Sequence, residues 1–416
     1  MSSPALQRRL GLRDAVFLGL GSMIGAGVFS AFGPAAAAAG GGVLLALAIA
    51  AIVGFCNATS TAQLAAVHPT SGGVYAYGRV ELGPWWGFVA GWGFLIGKTA
   101  SCAAMALTAA AYAAPPGWER PVAVAVVGLL TTVNLLGISR TALATRILVV
   151  VVLIVLGVAA VTVASGIDST GAAAGAATAG TGDVYGTLQA SGILFFAFAG
   201  YARIATPGEE VRDPARTIPR AIVLAFAGAL SVYLIVGVVV LAALGPAGTA
   251  ASSAPLLDAV RGADAPWAVP LVQLGAAAAS LGALLALIAG IGRTAYAMAR
   301  ERDLPTVLDA VHPTRFVPHR AELTVAAVVV TLVLTVDLRG AIGFSSFGVL
   351  LYYAIANLAA LRQRGAARRY PRSLQAVGLA GCAVLMATLP LASVVVGVAA
   401  VAVGVVVRAI GVVRRG

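Results

Sequence analysis

Charge is scarce in this sequence. Only 10% of its 416 residues are charged, with 15 carboxylates against 27 lysines and arginines. Soluble domains carry about a quarter charged residues, so a water-faced globule of this length is excluded. Lysine is nearly missing, Lys98 being the only one. The three histidines, His68, His312 and His319, have no ligand spacing to any cysteine, which leaves neither a zinc site nor a hydrolytic triad. Cys56, Cys102 and Cys382 all fall in apolar segments without paired spacing, so no disulfide framework or metal cluster is read from them. No nucleophile, acid or metal cluster stands where an embedded enzyme would need one, and no metal or other cofactor is expected.

What is abundant is apolar sequence: 60% of the residues are hydrophobic, and the mean hydropathy is +0.97. A helix needs about 20 apolar residues to cross a bilayer core, and such runs recur from Asp14 almost to the end. They predict an all-α integral membrane protein with about twelve spans, near 14–34, 42–66, 85–113, 120–138, 142–165, 186–206, 218–244, 267–298, 322–337, 341–361, 374–389 and 391–408. The N-terminal run continues to about Ala31 without a cleavage site, so it is read as span 1 and not as a signal peptide. The longest hydrophilic segment, about 300–320, is too short to fold alone.

The net charge of +12 does not point to nucleic acid, because the arginines sit in short clusters between apolar runs. They sort by side instead. With the N-terminus inside, alternate loops collect Arg79, Arg140, Arg146, Arg212, Arg216, Arg220, Arg300, Arg302, Arg315, Arg320 and the cluster Arg362–Arg372, whereas the opposite loops hold Arg120, Arg261 and Arg339. The positive-inside rule then places both termini in the cytoplasm. The Gly/Ala/Ser/Thr-rich stretch 166–182 is read as a flexible outer loop.

Span 1 carries Gly19, Gly21, Gly25, Gly27 and Gly33, and each glycine weakens a helix by up to about 1 kcal/mol against alanine. Close helix packing is one reading, since Gly21 and Gly25 are four apart. The other is an unwound segment, which hydrocarbon tolerates only where the freed backbone faces a cavity or ligand. A half-helix starting near Gly25 would offer the Ala26 and Gly27 amides to a carboxylate, and the carbonyls ending the first half would accept from an ammonium. Together these recognise a zwitterion. A second interruption, Phe195-Phe196-Ala197-Phe198-Ala199-Gly200-Tyr201, comes five spans later. Paired broken helices are the mark of inverted-repeat transporters.

Three stretches, Gly21-Ser-Met-Ile-Gly-Ala-Gly-Val-Phe29, His68-Pro-Thr-Ser-Gly-Gly-Val-Tyr-Ala-Tyr-Gly-Arg79 and Phe195 through Pro219, resemble the amino acid–polyamine–organocation (APC) superfamily. The resemblance implies the five-plus-five inverted-repeat, LeuT-like fold with helices 1 and 6 broken. Residues 1–361 would form the ten-helix core, from repeats of about 14–165 and 186–361, and 362–416 two added C-terminal helices. It implies an amino acid substrate held by Met23, Ile24, Gly25, Ala26, Gly27, Phe196, Phe198 and Ala199, with its carboxylate at the Ala26 and Gly27 amides and its ammonium at carbonyls near Met23, Phe196 and Ala199. Phe196 would act as an aromatic gate. Arg203, Glu209 and Glu210 are candidates for a cytoplasmic gate, Arg203 pairing with one of the two acids.

Lys98 lies near the middle of span 3, where an ionisable group costs roughly 2.5–3.5 kcal/mol and marks function by default. It either couples transport by giving up its proton or meets the substrate side chain, which would favour neutral or acidic substrates. No carboxylate falls mid-span: Asp14, Glu81, Asp183, Glu209, Glu210, Asp303, Glu322 and Asp337 all stand at ends or in loops. Some relatives carry an acid two positions after the span 6 glycine, where this chain has Ala202 and then Arg203. Sodium would need hydroxyl and carbonyl oxygens from spans 1 and 8, and Ser280 and Thr294 are the only serine or threonine hydroxyls in span 8, so the proton gradient is the preferred coupling. Gly97-Lys98-Thr99 mimics a P-loop tail, but Trp92 stands where its first glycine belongs. The expectation is a permease of the cytoplasmic membrane, partnered by its amino acid and the lipid bilayer, with no nucleic acid and no obligate protein partner. The alternatives are an amino acid exchanger or a non-transporting sensor.

Overall fold

The computed structural model describes residues 10–68, 72–137, 142–167, 182–204 and 211–413, and among them the ordered backbone is helical throughout apart from one isolated bridge. The first three helices are α1 (Leu12–Met23), α2 (Ala26–Ser30) and α3 (Phe32–Ala39). Then come α4 (Val43–Val67), the short α5 (Val74–Glu81), α6 (Pro84–Ala113), α7 (Glu119–Leu135) and α8 (Ala142–Gly166). The second half holds α9 (Val184–Phe198), α10 (Pro214–Ala251), the short α11 (Pro255–Gly262), α12 (Ala268–Arg300), α13 (His319–Thr335) and α14 (Leu338–Arg362). The last two helices are α15 (Arg372–Thr388) and α16 (Leu391–Val413).

Among the described residues, eight helical stretches are long and apolar enough to cross a membrane: 12–30, 32–67, 84–113, 143–166, 214–251, 268–300, 338–362 and 391–410. The remaining apolar runs of the sequence coincide with α7, α9, α13 and α15, helices of 15 to 17 residues. Their ends follow local chemistry. Pro84 and Pro214 open α6 and α10 at positions where a missing N–H costs nothing. Asp183 and Asp337 cap α9 and α14, accepting from the amides of Gly186 at 3.0 Å and Gly340 at 2.8 Å.

The inside of the bundle is built from small residues and polar pairs, while valine, leucine and isoleucine face outward along α8 and α16. That inversion suits a lipid surround, where burial of apolar side chains drives nothing and close backbone packing does. The central helix α6 meets α14 glycine on glycine: a Cβ on Gly348 would stand 2.7 Å from Gly97 Cα. At the junction of α4 and α14, Asn357 donates to Asn57 at 2.6 Å and accepts from Ser60 at 2.6 Å.

One cluster ties α5 and the end of α12 to the last helix, α16. Asp303, just past α12, accepts from Arg79 (2.8 Å) and the Tyr75 hydroxyl (2.9 Å) of α5, and pairs with Arg408 of α16 at 3.1 Å. Arg408 also donates to the Pro84 carbonyl at 2.7 Å and lies over the rings of Trp85 and Phe88 at 4.6 and 4.8 Å. Burial, and then the Asp303 carboxylate, push the Tyr75 hydroxyl up, so it stays protonated and donates.

Candidate substrate site at the two broken helices

The first interruption falls where the glycines are densest. α1 ends at Met23, Ile24 and Gly25 leave helical geometry, and α2 begins at Ala26. Gly25 turns its amide back to the Met23 carbonyl at 2.8 Å. The amides of Ala26 and Gly27 then open a new helix, and first-turn amides have no partner within their own helix. The second interruption follows Phe198, with Ala199 and Gly200 leading into a tight 3₁₀ turn at Tyr201–Ile204.

The two breaks lie against each other. A Cβ on Gly27 would sit 2.6 Å from Ala197 Cα, and one on Gly200 would collide with the Ser22 carbonyl. Only hydrogen fits at either contact, so the glycines serve both readings offered by the sequence: they pack closely and they open the helix. α12 closes the site from the side, since a Cβ on Gly25 would touch Ala283 at 3.0 Å.

Hydroxyls and an ammonium hold the freed carbonyls. Lys98 of α6 is 8% exposed and donates to the Ala199 carbonyl at 2.9 Å. The Tyr353 hydroxyl of α14 donates to the same oxygen at 3.2 Å. Across the site, the Tyr233 hydroxyl of α10 stands 2.6 Å from the Met23 carbonyl and 2.8 Å from that of Ala197, and with one hydrogen serves either break. Tyr112 donates to the Phe29 carbonyl at 2.8 Å. The carbonyls of Met23 and Ala199 therefore each have two donors of the protein within reach, whereas the Phe196 carbonyl receives only a long 3.3 Å bond from the Ala199 amide.

The structure thus brings Met23, Ile24, Gly25, Ala26, Gly27, Lys98 and Ala199 to one place. Phe196, in the last turn of α9, is buried at 7% exposure. Phe198 is fully buried, stacked on Phe226 at 5.1 Å and edge-on to Tyr233 at 5.0 Å, so it packs the α9–α10 contact. The Arg203 side chain rests on Gly290 of α12, while Glu209 and Glu210 lie outside the described residues. Of the two aliphatic hydroxyls on α12, Thr294 is engaged with the Gly290 carbonyl at 3.0 Å and Ser280 is buried without a hydrogen-bond partner among the described residues. Among the described residues no group of His, Cys, Asp and Glu could hold a metal.

Sequence reading missed the tyrosines. Tyr233 and Tyr353 stand in strongly apolar helices, and a hydroxyl there needs a partner. That was the available signal, but it does not say which carbonyl is met.

A bundle of apolar helices with two breaks set face to face is the arrangement of a membrane transporter. A family model described as amino acid permease matches residues 10–412, and the chain belongs to that family, within the APC superfamily. It is 59% identical over 392 residues to an uncharacterized transporter of Mycobacterium tuberculosis, covering 94% of this chain and 88% of the relative. It is 26% identical to the branched-chain amino acid permease BcaP of Bacillus subtilis, covering 90% and 85%. Against the human cationic amino acid transporter 4 it is 28% identical, covering 84% and 58%.

Proposed function

We propose that this protein is a secondary active transporter that takes up neutral or acidic amino acids across the cytoplasmic membrane by alternating access, driven by the proton gradient. The substrate carboxylate binds at the Ala26 and Gly27 amides, the positive end of the half-helix. Its ammonium goes to the Phe196 carbonyl and to that of Ala199, where Lys98 already stands. The single observation that carries the reading is that bond from Lys98 to Ala199. A buried cation of the protein holds an acceptor that a substrate amine would use, so binding must displace it or take its proton. Lys98 is thereby the coupling residue, and both termini face the cytoplasm by the distribution of arginine.

The charge around the site bears on the substrate's side chain. Lys98 and, four residues past Ala199, Arg203 already place two cations here, and a third on the substrate would be repelled. The name of the branched-chain relative fits this better than the names of the cationic ones.

The test is accumulation of a labelled amino acid panel in proteoliposomes under an inward proton gradient. Accumulation of neutral or acidic amino acids that an uncoupler abolishes supports the proposal. Uptake that requires preloaded amino acid and ignores the gradient identifies an exchanger, and binding without flux identifies a sensor.

A further inference from the structure

Glu322 is read from the sequence as a residue at the edge of a span, yet the fold takes it inside. It lies in the first turn of α13 and is 2% exposed, with Oε2 shut from water and, among the described residues, without a hydrogen-bond partner. α12 makes room for it at Gly292, where a Cβ would stand 2.6 Å from Glu322 Cγ and 3.6 Å from its carboxyl. The next residue, Arg293, is exposed and is the charged group whose field reaches Glu322, though the two form no salt bridge. Arg293 also faces Arg203, whose guanidinium rests on Gly290. These groups frame α12 roughly 13 Å along its axis, at 1.5 Å per residue, from the point where Ala283 meets Gly25.

The surroundings offer little else. On its own helix, His319 stands one turn earlier, edge-on to His312 at 5.6 Å. Asp309, on the turn packed against α13, is exposed, and α6 and α7 bring no charge that acts on Glu322. A carboxylate held this way has an uncompensated charge, which is costly in an apolar interior. Two things relieve it: a proton, or the Arg293 guanidinium moving onto it.

We propose that Glu322 is a proton-binding residue of the transport cycle, alternating between a protonated carboxyl and a carboxylate paired with Arg293. In the first state the carboxylate has taken up one proton. In the second it has returned that proton to cytoplasmic water, which reaches the site past Arg293. The inference rests on the proton-coupled reading and adds to it an acid on the inner half of the bundle, apart from Lys98. A structural role, an acid set against the positive end of α13, would leave coupling unchanged.

The experiment compares wild type with Glu322→Gln in proteoliposomes, measuring gradient-driven accumulation, exchange of internal for external substrate, and substrate-induced proton entry with a lumenal pH dye. The expected result is at least about tenfold lower accumulation and no proton entry, with exchange within about threefold of wild type, a loss in the range of coupling between sites. Accumulation at the wild-type level in the variant overturns the Glu322 assignment and leaves the proton-coupled reading standing. Absence of gradient-driven accumulation in wild type overturns both. If the variant does not fold, wild type is treated with a hydrophobic carbodiimide, which reacts with protonated buried carboxyls. Labelling of Glu322 that abolishes accumulation supports the proposal, and labelling elsewhere only, or without effect on accumulation, overturns it.

Discussion

Two buried carboxylates flank one loop of this protein, and their surroundings are opposite. Asp303 has an arginine from α5, an arginine from α16 and a tyrosine hydroxyl, and its side chain is 4% exposed. Glu322 is as deeply placed, but one of its oxygens has no partner among the described residues. A carboxylate with all its donors present is held in a single arrangement. One left short of donors can gain from a change of protonation or partner. The difference separates a clamp that fixes α5, α12 and α16 together from a group free to take part in the proposed cycle.

The sharpest way to break this comparison is to remove each acid in turn. Asp303→Ala strands two arginines packed in the cluster and is expected to cost about 3–5 kcal/mol, seen as loss of monodisperse protein and a lower Tm in detergent. Glu322→Gln is expected to change stability by no more than about 1 kcal/mol, since no donor is left behind. Equal destabilisation by the two would erase the distinction. Arg408→Gln, which keeps Arg79 and Tyr75 on Asp303, is expected to lose about 1.5–3 kcal/mol, the range for a hydrogen bond to a charged group.

The broken helices sharpen the comparison from the other side, because there close backbone contact sets the geometry. Gly200→Ala forces a methyl into the Ser22 carbonyl and is expected to cost about 1–3 kcal/mol, with loss of amino acid binding by the protein that folds. A smaller effect than at Gly200 is expected from Tyr353→Phe, which removes one of the donors to Ala199 and should lower stability by about 0.5–1.5 kcal/mol in the same thermal assay.

These residues also mark how far sequence reading reaches. The break in span 1 was legible because five glycines within a short run are a local cost that only packing or unwinding explains. Lys98 was legible because a lone lysine in mid-span has no bland neighbours to hide among. Their partners were not. That Lys98 meets Ala199 depends on how α6 docks beside α9, and the roles of Tyr233 and Tyr353 depend on α10 and α14 crossing the two breaks. Glu322 was placed at a boundary because hydropathy sees only its own run. Its burial is made by Gly292, far away on another helix.

Binding to purified protein in detergent is the direct test of a zwitterion site at the facing breaks. The amino acid that gives the largest thermal shift is titrated beside its decarboxylated amine and its deaminated acid, on wild type and on Lys98→Ala. Only the intact amino acid is expected to bind wild type, its carboxylate meeting the proposed Ala26 and Gly27 amides while its amine meets carbonyls. Lys98→Ala is expected to change this affinity by more than about tenfold, or 1.4 kcal/mol. An amine without its carboxylate that binds as well as the amino acid, or an unchanged affinity in Lys98→Ala, would contradict such a site.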